Sequence, residues 1–266
     1  MARSIVTLTT DFGEQDYYVG AMKGVILDVS PDTEVIDLCH NVLPYDILDA
    51  AFTIAQSYRW FPLRTVHLVV VDPGVGTQRR PILVSGDRHF FIGPDNGVFS
   101  FIYPEQEKLT VWHITGDHYF HQPVSNTFHA RDVFAAVAGW LAKGVEARQF
   151  GDEIEDYTKL TIPKPQAVSD KSWKGMILKV DRFGNVITNI AAADCPALFA
   201  EPTPPFKLSA GGKDITKLVP NYAEGGQGEI FALLGSSGYL EIATNRGGAG
   251  KLLSLNRGGE VTLTLA

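Results

Sequence analysis

Cysteine is almost missing from this chain: Cys39 and Cys195 are the only two in 266 residues. They could form one disulfide at most, and a chain long enough to bury a sizeable core does not need it. Neither sits in a metal-like or nucleophile-like context, so both read as buried thiols of a protein kept in a reducing cytoplasm. No run approaches the ~18–20 apolar residues of a membrane span. The start, MARSIVTLTTDFG, lacks the apolar core of a secretory leader. Basic charge is short as well, 23 Lys and Arg against 30 Asp and Glu for a net charge of −7. Without a clustered basic surface, phosphate-backbone binding is not expected. There is no GxxxxGK[ST] phosphate loop, no GxGxxG opening a helix and no GxSxG elbow, which removes common nucleotide-binding and hydrolase chemistries. The seven histidines include no HExxH pair, and no cysteine cluster exists. A metal site is therefore not expected, although Asp72 and His129 are acceptable ligands if the fold brings others to them.

What is present is ordinary globular composition, 45% hydrophobic and 20% charged, enough for one large domain or two ordinary ones. The texture changes along the chain. Over the first ~160 residues strands alternate with helices. Strands are expected at 5–9, 34–38, 66–71, 82–85, 89–92 and 111–115, and helices at 16–29, 46–60 and 128–142. On the last helix Val133, Phe134, Val137, Ala138 and Leu141 share a face. This pattern predicts an α/β domain over 1–161 with a largely parallel sheet covered on both sides. TIPKPQAVSD, with two prolines and several small residues, reads as a linker over 162–170. Beyond it helical periodicity gives way to short strands at 176–180, 186–190, 206–209, 230–234, 239–244 and 260–265, separated by glycine pairs. Residues 171–266 are thus expected to form a small all-β barrel or sandwich.

Four polar constellations stand out. In VVVDPGVGTQRR, Asp72 ends a buried strand, and Pro73, Gly74 and Gly76 impose a tight loop with Arg79 and Arg80 close behind. The carboxyl edge of such a sheet is where ligands bind. In TTDFG, Asp11 ends the first strand in the same manner, where a carboxylate accepts hydrogen bonds from a ribose diol or caps the helix that follows. In NTFHARD, His129 lies at the start of a helix, whose positive end favours neutral imidazole fit to relay a proton. In DRFGN, Asp181 and Asn185 flank a turn that Asp and Gly suffice to explain.

Taken together, TLTTDFG, VVDPGVGTQRR, GPDNGVFS, NTFHARDVFA, DRFGNVITNI and GSSGYLEIATNRG resemble, nearly end to end, the S-adenosyl-L-methionine (SAM) hydroxide adenosyltransferases. These are adenosine-forming SAM hydrolases related to fluorinases and chlorinases. The resemblance implies an α/β domain followed by a β-rich domain. It also implies a homotrimer, with substrate held between the first domain of one subunit and the second domain of the next. It assigns Asp72, Arg79 and His129 to water handling, Asp11 to the ribose hydroxyls, Asp16 to the methionine ammonium and Tyr45 to a wall against the sugar. Asp181 and Ser236 would take the methionine end, and Asn185, Tyr222 and Asn245 the adenine. Tyr239 and Glu241 lie in the same loop and strand, and ordinary packing is the alternative for Tyr222 and Tyr239.

The implied reaction is SAM + H2O → adenosine + L-methionine, by in-line attack of water at the ribose C5′. A sulfonium is already a good leaving group, so neither a cofactor, a metal nor a covalent nucleophile is expected. A halide at the nucleophile position would meet Asp72. At about 4 Å and an effective dielectric of about 20 that repulsion is ~4 kcal/mol, only partly offset by Arg79, which favours water over halide. The halogenase relatives carry an uncharged residue in place of this acid. Two other readings stay open, a SAM- or adenosine-binding regulator with little turnover and a hydrolase of another nucleoside sulfonium.

Overall fold

The computed structural model describes residues 3–266, and the chain divides into two compact units, the first ending at Ile162 and the second beginning at Pro163. The first unit is built on seven strands: β1 (Ile5–Thr10), β2 (Glu34–Cys39), β3 (Val66–Val70), β4 (Pro81–Ser85), β5 (Phe90–Pro94), β6 (Thr110–Ile114) and β7 (Gly151–Glu153). Their order is β2-β1-β3-β5-β4-β6-β7. The sheet is parallel from β2 to β5 and antiparallel from β5 through β4 and β6 to β7. Every residue of β3 is buried, as a strand covered on both faces requires. Val66, Leu68 and Val70 pack with helices α1 (Tyr18–Val29) and α3 (Ala136–Lys143). Val69 and Val71 face the other way, toward α2 (Ile47–Ser57). Asp46 caps α2 by accepting the Asp49 N–H at 3.0 Å. The last turn of α2 tightens at Tyr58–Trp60 instead of continuing as α-helix.

The helix expected over 128–142 is not regular. Ala130–Ala135 is π-helical and only then does α3 begin. Val133, Phe134, Val137, Ala138 and Leu141 are all buried together as the periodicity requires. The wider turn coincides with a fully buried charge: Asp132 accepts the Ser125 N–H at 2.8 Å and two bonds from Arg131. Such wide turns recur at functional sites.

The second unit contains β8 (Gln166–Ser169), β9 (Ser172–Val180), β10 (Val186–Ala191), β11 (Phe206–Ala210), β12 (Lys213–Ile215), β13 (Ile230–Leu234), β14 (Tyr239–Thr244) and β15 (Glu260–Leu265), with a one-turn helix α4 (Ala249–Leu252). The stretch 162–170, read from sequence as a linker, falls mostly within this unit, because β8 folds back on β9 as a hairpin. The strands run antiparallel in the order β12-β11-β15-β9-β10-β14-β13. A parallel bridge from Leu218 to Ala232 brings the chain after β12 alongside β13, so the sheet nearly closes into a barrel. Ile177, Val186, Leu208, Leu240, Ile242 and Leu263 fill it. Val219, Phe231, Leu233 and Ala243 form a small second cluster on β13 and β14. Among the described residues no helix is long and apolar enough to cross a membrane.

Candidate active site

The carboxyl ends of β1 and β3 open into one cavity of about 410 Å³, whose wall includes Asp11, Tyr45, Asp72 and His129. That volume lies within the ~300–1,000 Å³ typical of small-molecule sites. Asp72 stands two residues past the end of β3. Its position is set from behind by the GPDNGVFS segment: Asn96 donates to the Val71 carbonyl at 2.9 Å, and the backbone of Gly93 lies so near the Val69 carbonyl that a Cβ would come within 2.4 Å of it.

The two arginines that follow have separate partners. Arg80 is taken by Asp95 and Asp156. Arg79 turns back to Asp72: its Nε donates to both carboxylate oxygens at 2.9 Å, and its Nη2 donates to Oδ2 in a close ion pair. Their side chains are only 9% and 6% exposed. The Arg79 guanidinium also lies 5.0 Å over the Phe134 ring, and Nη2 reaches His129 Nδ1 at 3.1 Å. A guanidinium has only donors, so Nδ1 accepts and the neutral His129 ring carries its proton on Nε2. Burial and the Arg79 charge hold the His129 pKa below the ordinary value, against smaller opposing effects of Asp72 and Asp132. The loops carrying Asp72 and His129 also touch through backbone. Gly76 has φ +76°, and a Cβ there would lie 2.3 Å from the Asn126 carbonyl oxygen.

Across the cavity, Asp11 Oδ2 accepts the Tyr45 N–H at 2.8 Å. Tyr45 itself has φ 65° and is 75% exposed. Asp16 is exposed ahead of α1 and is not part of the cavity wall. The wall also holds aromatic side chains that the sequence reading left out. Phe12, Tyr18 and Phe128 pack with centroids 5.3–6.3 Å apart, and the Arg131 guanidinium lies 4.9 Å over Phe128. The signal for them was present, since Phe12 and Phe128 each stand beside a candidate polar residue in its motif.

In the second unit four of the candidates fall into two hydrogen-bonded pairs, Asp181 with Asn185 and Tyr222 with Glu241. Asp181 Oδ1 accepts the backbone N–H of Phe183 and Asn185, and Oδ2 accepts the Asn185 amide at 3.0 Å. Glu241 is buried and accepts the Tyr222 hydroxyl at 3.0 Å. A Cβ on Gly235 would lie 1.8 Å from the Glu241 carboxylate, so the carboxylate packs directly against this glycine. Burial, then Asp181, raises the Glu241 pKa against the Tyr222 bond. Burial, with Glu241 and Asp181, pushes Tyr222 up to about 12. Asn245 donates to the Gly225 carbonyl at 2.9 Å, which pins the short helix Tyr222–Glu224 to β14. Ser236 is exposed in the turn between β13 and β14, and Tyr239 is half-buried at the start of β14. Among the described residues no three His, Cys, Asp or Glu side chains converge as a metal site needs.

Comparison with known proteins places both units. Residues 6–151 match the SAM hydroxide adenosyltransferase N-terminal domain and residues 175–262 the C-terminal domain of the same family. The (R)-S-adenosyl-L-methionine hydrolase of Methanocaldococcus jannaschii is 33% identical over 95% of this chain and 92% of that protein. The enzyme of the same name from Thermus thermophilus is 34% identical over 97% and 98%. A crystal structure of a conserved protein from Thermotoga maritima superposes with a TM-score of 0.91 at 34% identity, over 98% of this chain and 99% of that one.

Proposed function

This chain belongs to the SAM hydroxide adenosyltransferase family, and from that premise we propose that it hydrolyses S-adenosyl-L-methionine to adenosine and L-methionine. The observation that carries the chemistry is the Asp72–Arg79–His129 chain of hydrogen bonds at the wall of a cavity shared with Asp11. Water attacks the ribose C5′. The C5′–O bond forms as the C5′–S bond breaks, the electron pair neutralises the sulfonium, and one proton leaves the water. Asp72 accepts a hydrogen bond from that water and then its proton, Arg79 holds the carboxylate in place, and His129 offers its Nε2–H to the water oxygen. Holding one water in line accounts for much of the acceleration, because geometry replaces a random encounter. Phe12, Phe128 and Val70 keep other solvent away. The reaction needs no cofactor and no metal, since the leaving group departs as a neutral thioether.

Asp11 takes the ribose hydroxyls and Tyr45 covers the sugar. Asp16 attracts the methionine ammonium from the surface. Asp181 and Ser236 serve the methionine end, Asn185, Tyr222 and Asn245 the adenine, and Tyr239 and Glu241 hold that surface in shape. The assembly is a homotrimer with each site shared between neighbouring copies, acting in the cytoplasm. The family resemblance supports the trimer, as does the exposure of Tyr17 and Tyr45, large rings beside an open cavity. Light scattering that finds a fully active monomer would overturn it. The preferred epimer is the (R) sulfonium named for the relatives, and parallel turnover of the two resolved epimers checks this.

The reaction is tested by incubating protein and SAM in heavy-oxygen water and weighing the nucleoside. Label in the 5′-oxygen of adenosine, lost in a folded Asp72→Asn variant, is the expected result. SAM bound without conversion would make the chain a binding protein, and consumption of chloride or fluoride would make it a halogenase.

A further inference from the structure

Behind the cavity, a second chain of hydrogen bonds runs from the surface to the turn that carries Asp11. Lys23 of α1 donates to Asp37 Oδ2 at 2.5 Å. His40 Nε2 lies 2.9 Å from Asp37 Oδ1, and His40 Nδ1 lies 2.9 Å from Thr10 Oγ1. The Phe12 N–H donates to the same Thr10 oxygen at 3.3 Å. A carboxylate only accepts, so His40 Nε2 carries a proton. The Thr10 hydroxyl then donates to Nδ1 and accepts from Phe12, and every group in the series is satisfied. Backbone links follow the same seam: Gly13 N–H to the His40 carbonyl at 2.8 Å and Val42 N–H to the Thr10 carbonyl at 3.4 Å.

The order Thr10–His40–Asp37 is that of nucleophile, base and orienting acid. Thr10, however, is fully buried and does not reach the cavity wall, and His40 is buried too. The series therefore cannot attack a ligand. Its inner end bears on Phe12 and Asp11, which do line the cavity. Asp11 is in turn tied to the chain after His40 through the Tyr45 N–H.

We infer that His40, acting through Thr10, is a positioning residue that fixes the Asp11–Phe12 turn and so sets affinity for the ribose of the substrate. This rests on the reading of Asp11 as the ribose-holding residue. Thr10→Val keeps the shape and removes the hydroxyl, Thr10→Ser keeps the hydroxyl, and His40→Ala and His40→Asn test the ring itself. Losing one such bond is expected to raise KM for SAM, and the dissociation constant of adenosine, by about threefold to tenfold, with kcat changed less than about twofold. Thr10→Ser and, in part, His40→Asn should restore affinity. In a double-mutant cycle, adding Thr10→Val to Asp11→Asn should weaken binding no further than Asp11→Asn alone, because both act on one contact.

A Thr10→Val protein with a lower melting temperature and unchanged KM would overturn the inference. So would losses that multiply in the double variant while Asp11→Asn alone is impaired, and there the ribose reading survives. If Asp11→Asn alone binds adenosine normally, the ribose reading falls and the inference falls with it. Should His40→Ala not fold, the Thr10 pair decides the matter.

Discussion

His129 shows how a single ring is tuned by what surrounds it. Burial lowers its pKa first and Arg79 adds to that, while the bond from Arg79 Nη2 leaves the proton on Nε2. Protonation of Nδ1 would set an N–H against a guanidinium and break the chain to Asp72. Turnover should therefore fall on acidification with a midpoint below 6.5, the ordinary histidine value. In Arg79→Met, His129 should titrate higher than in the parent protein, because the cation is gone and Asp72 remains. Imidazole resonances followed by NMR across pH check both, and a midpoint above 6.5 in the parent protein would contradict the assignment. Asp72 and Arg79 are also mutually dependent for stability. Removing one member of a buried pair leaves the other uncompensated at a cost of about 3–5 kcal/mol, so Asp72→Ala and Asp72→Asn should both melt well below the parent protein, Asp72→Asn the less because its carbonyl still accepts from Arg79, as calorimetry would show. Much of this was legible in advance, since Asp72, Arg79 and His129 stand in compact motifs at element ends. The role of His40 was not, because the hydroxyl it holds lies far away in sequence. Thr10 and His40 are 30 residues apart, and nothing in local spacing says that they meet. Nor does the QRR run tell which arginine turns inward; that is decided by Asp95 and Asp156 claiming Arg80.

At the scale of elements, the Asp72–Arg79 loop and the turn before the π-helical segment work as one piece. The Gly76 backbone lies directly against the Asn126 carbonyl, in a left-handed conformation. Gly76→Ala should cost roughly 1–2 kcal/mol for the backbone alone, with a further loss from the close contact. Gly13, also left-handed at φ +68° but with open space around its Cβ position, isolates the first effect. The expected outcome is that Gly76→Ala melts lower than Gly13→Ala and loses turnover. Equal melting temperatures would mean that the loop contact carries no strain. The regular strands and helices were readable from apolar periodicity because each buries a continuous face. Elements that bury little, such as the exposed hairpin strand β8 and the short strands β7 and β12, leave no such imprint. The π-helical turn escaped for another reason: its apolar residues follow helical spacing, and what departs from it is the buried Asp132.

Across the whole molecule each unit has its own core, and the first contains an acid-labile device that the second lacks among the described residues. His67 and His89 are buried beneath Tyr58 and against Phe91, with ring centroids 5.1 Å apart. His67 Nδ1 bonds Thr7 Oγ1 at 2.8 Å, while Nε2 and both nitrogens of His89 find no protein partner. Burial, with the charge of His89, lowers the His67 pKa to about 3, and burial, with the charge of Arg88, lowers the His89 pKa to about 4. An unfolded chain takes up these protons near pH 6.5 and the folded one does not. Stability from the pair is therefore complete above about pH 6.5 and is lost progressively as pH falls toward 3. The units can be followed separately, since Trp60, Trp112 and Trp140 lie in the first and Trp173 alone in the second. Between pH 7 and pH 4 the denaturant midpoint of the first unit should drop by more than that of the second, read from variants retaining one set of tryptophans. In His67→Phe/His89→Leu the pH dependence of the first unit should flatten. If it persists unchanged, carboxylate pairs and not these histidines govern the acid response.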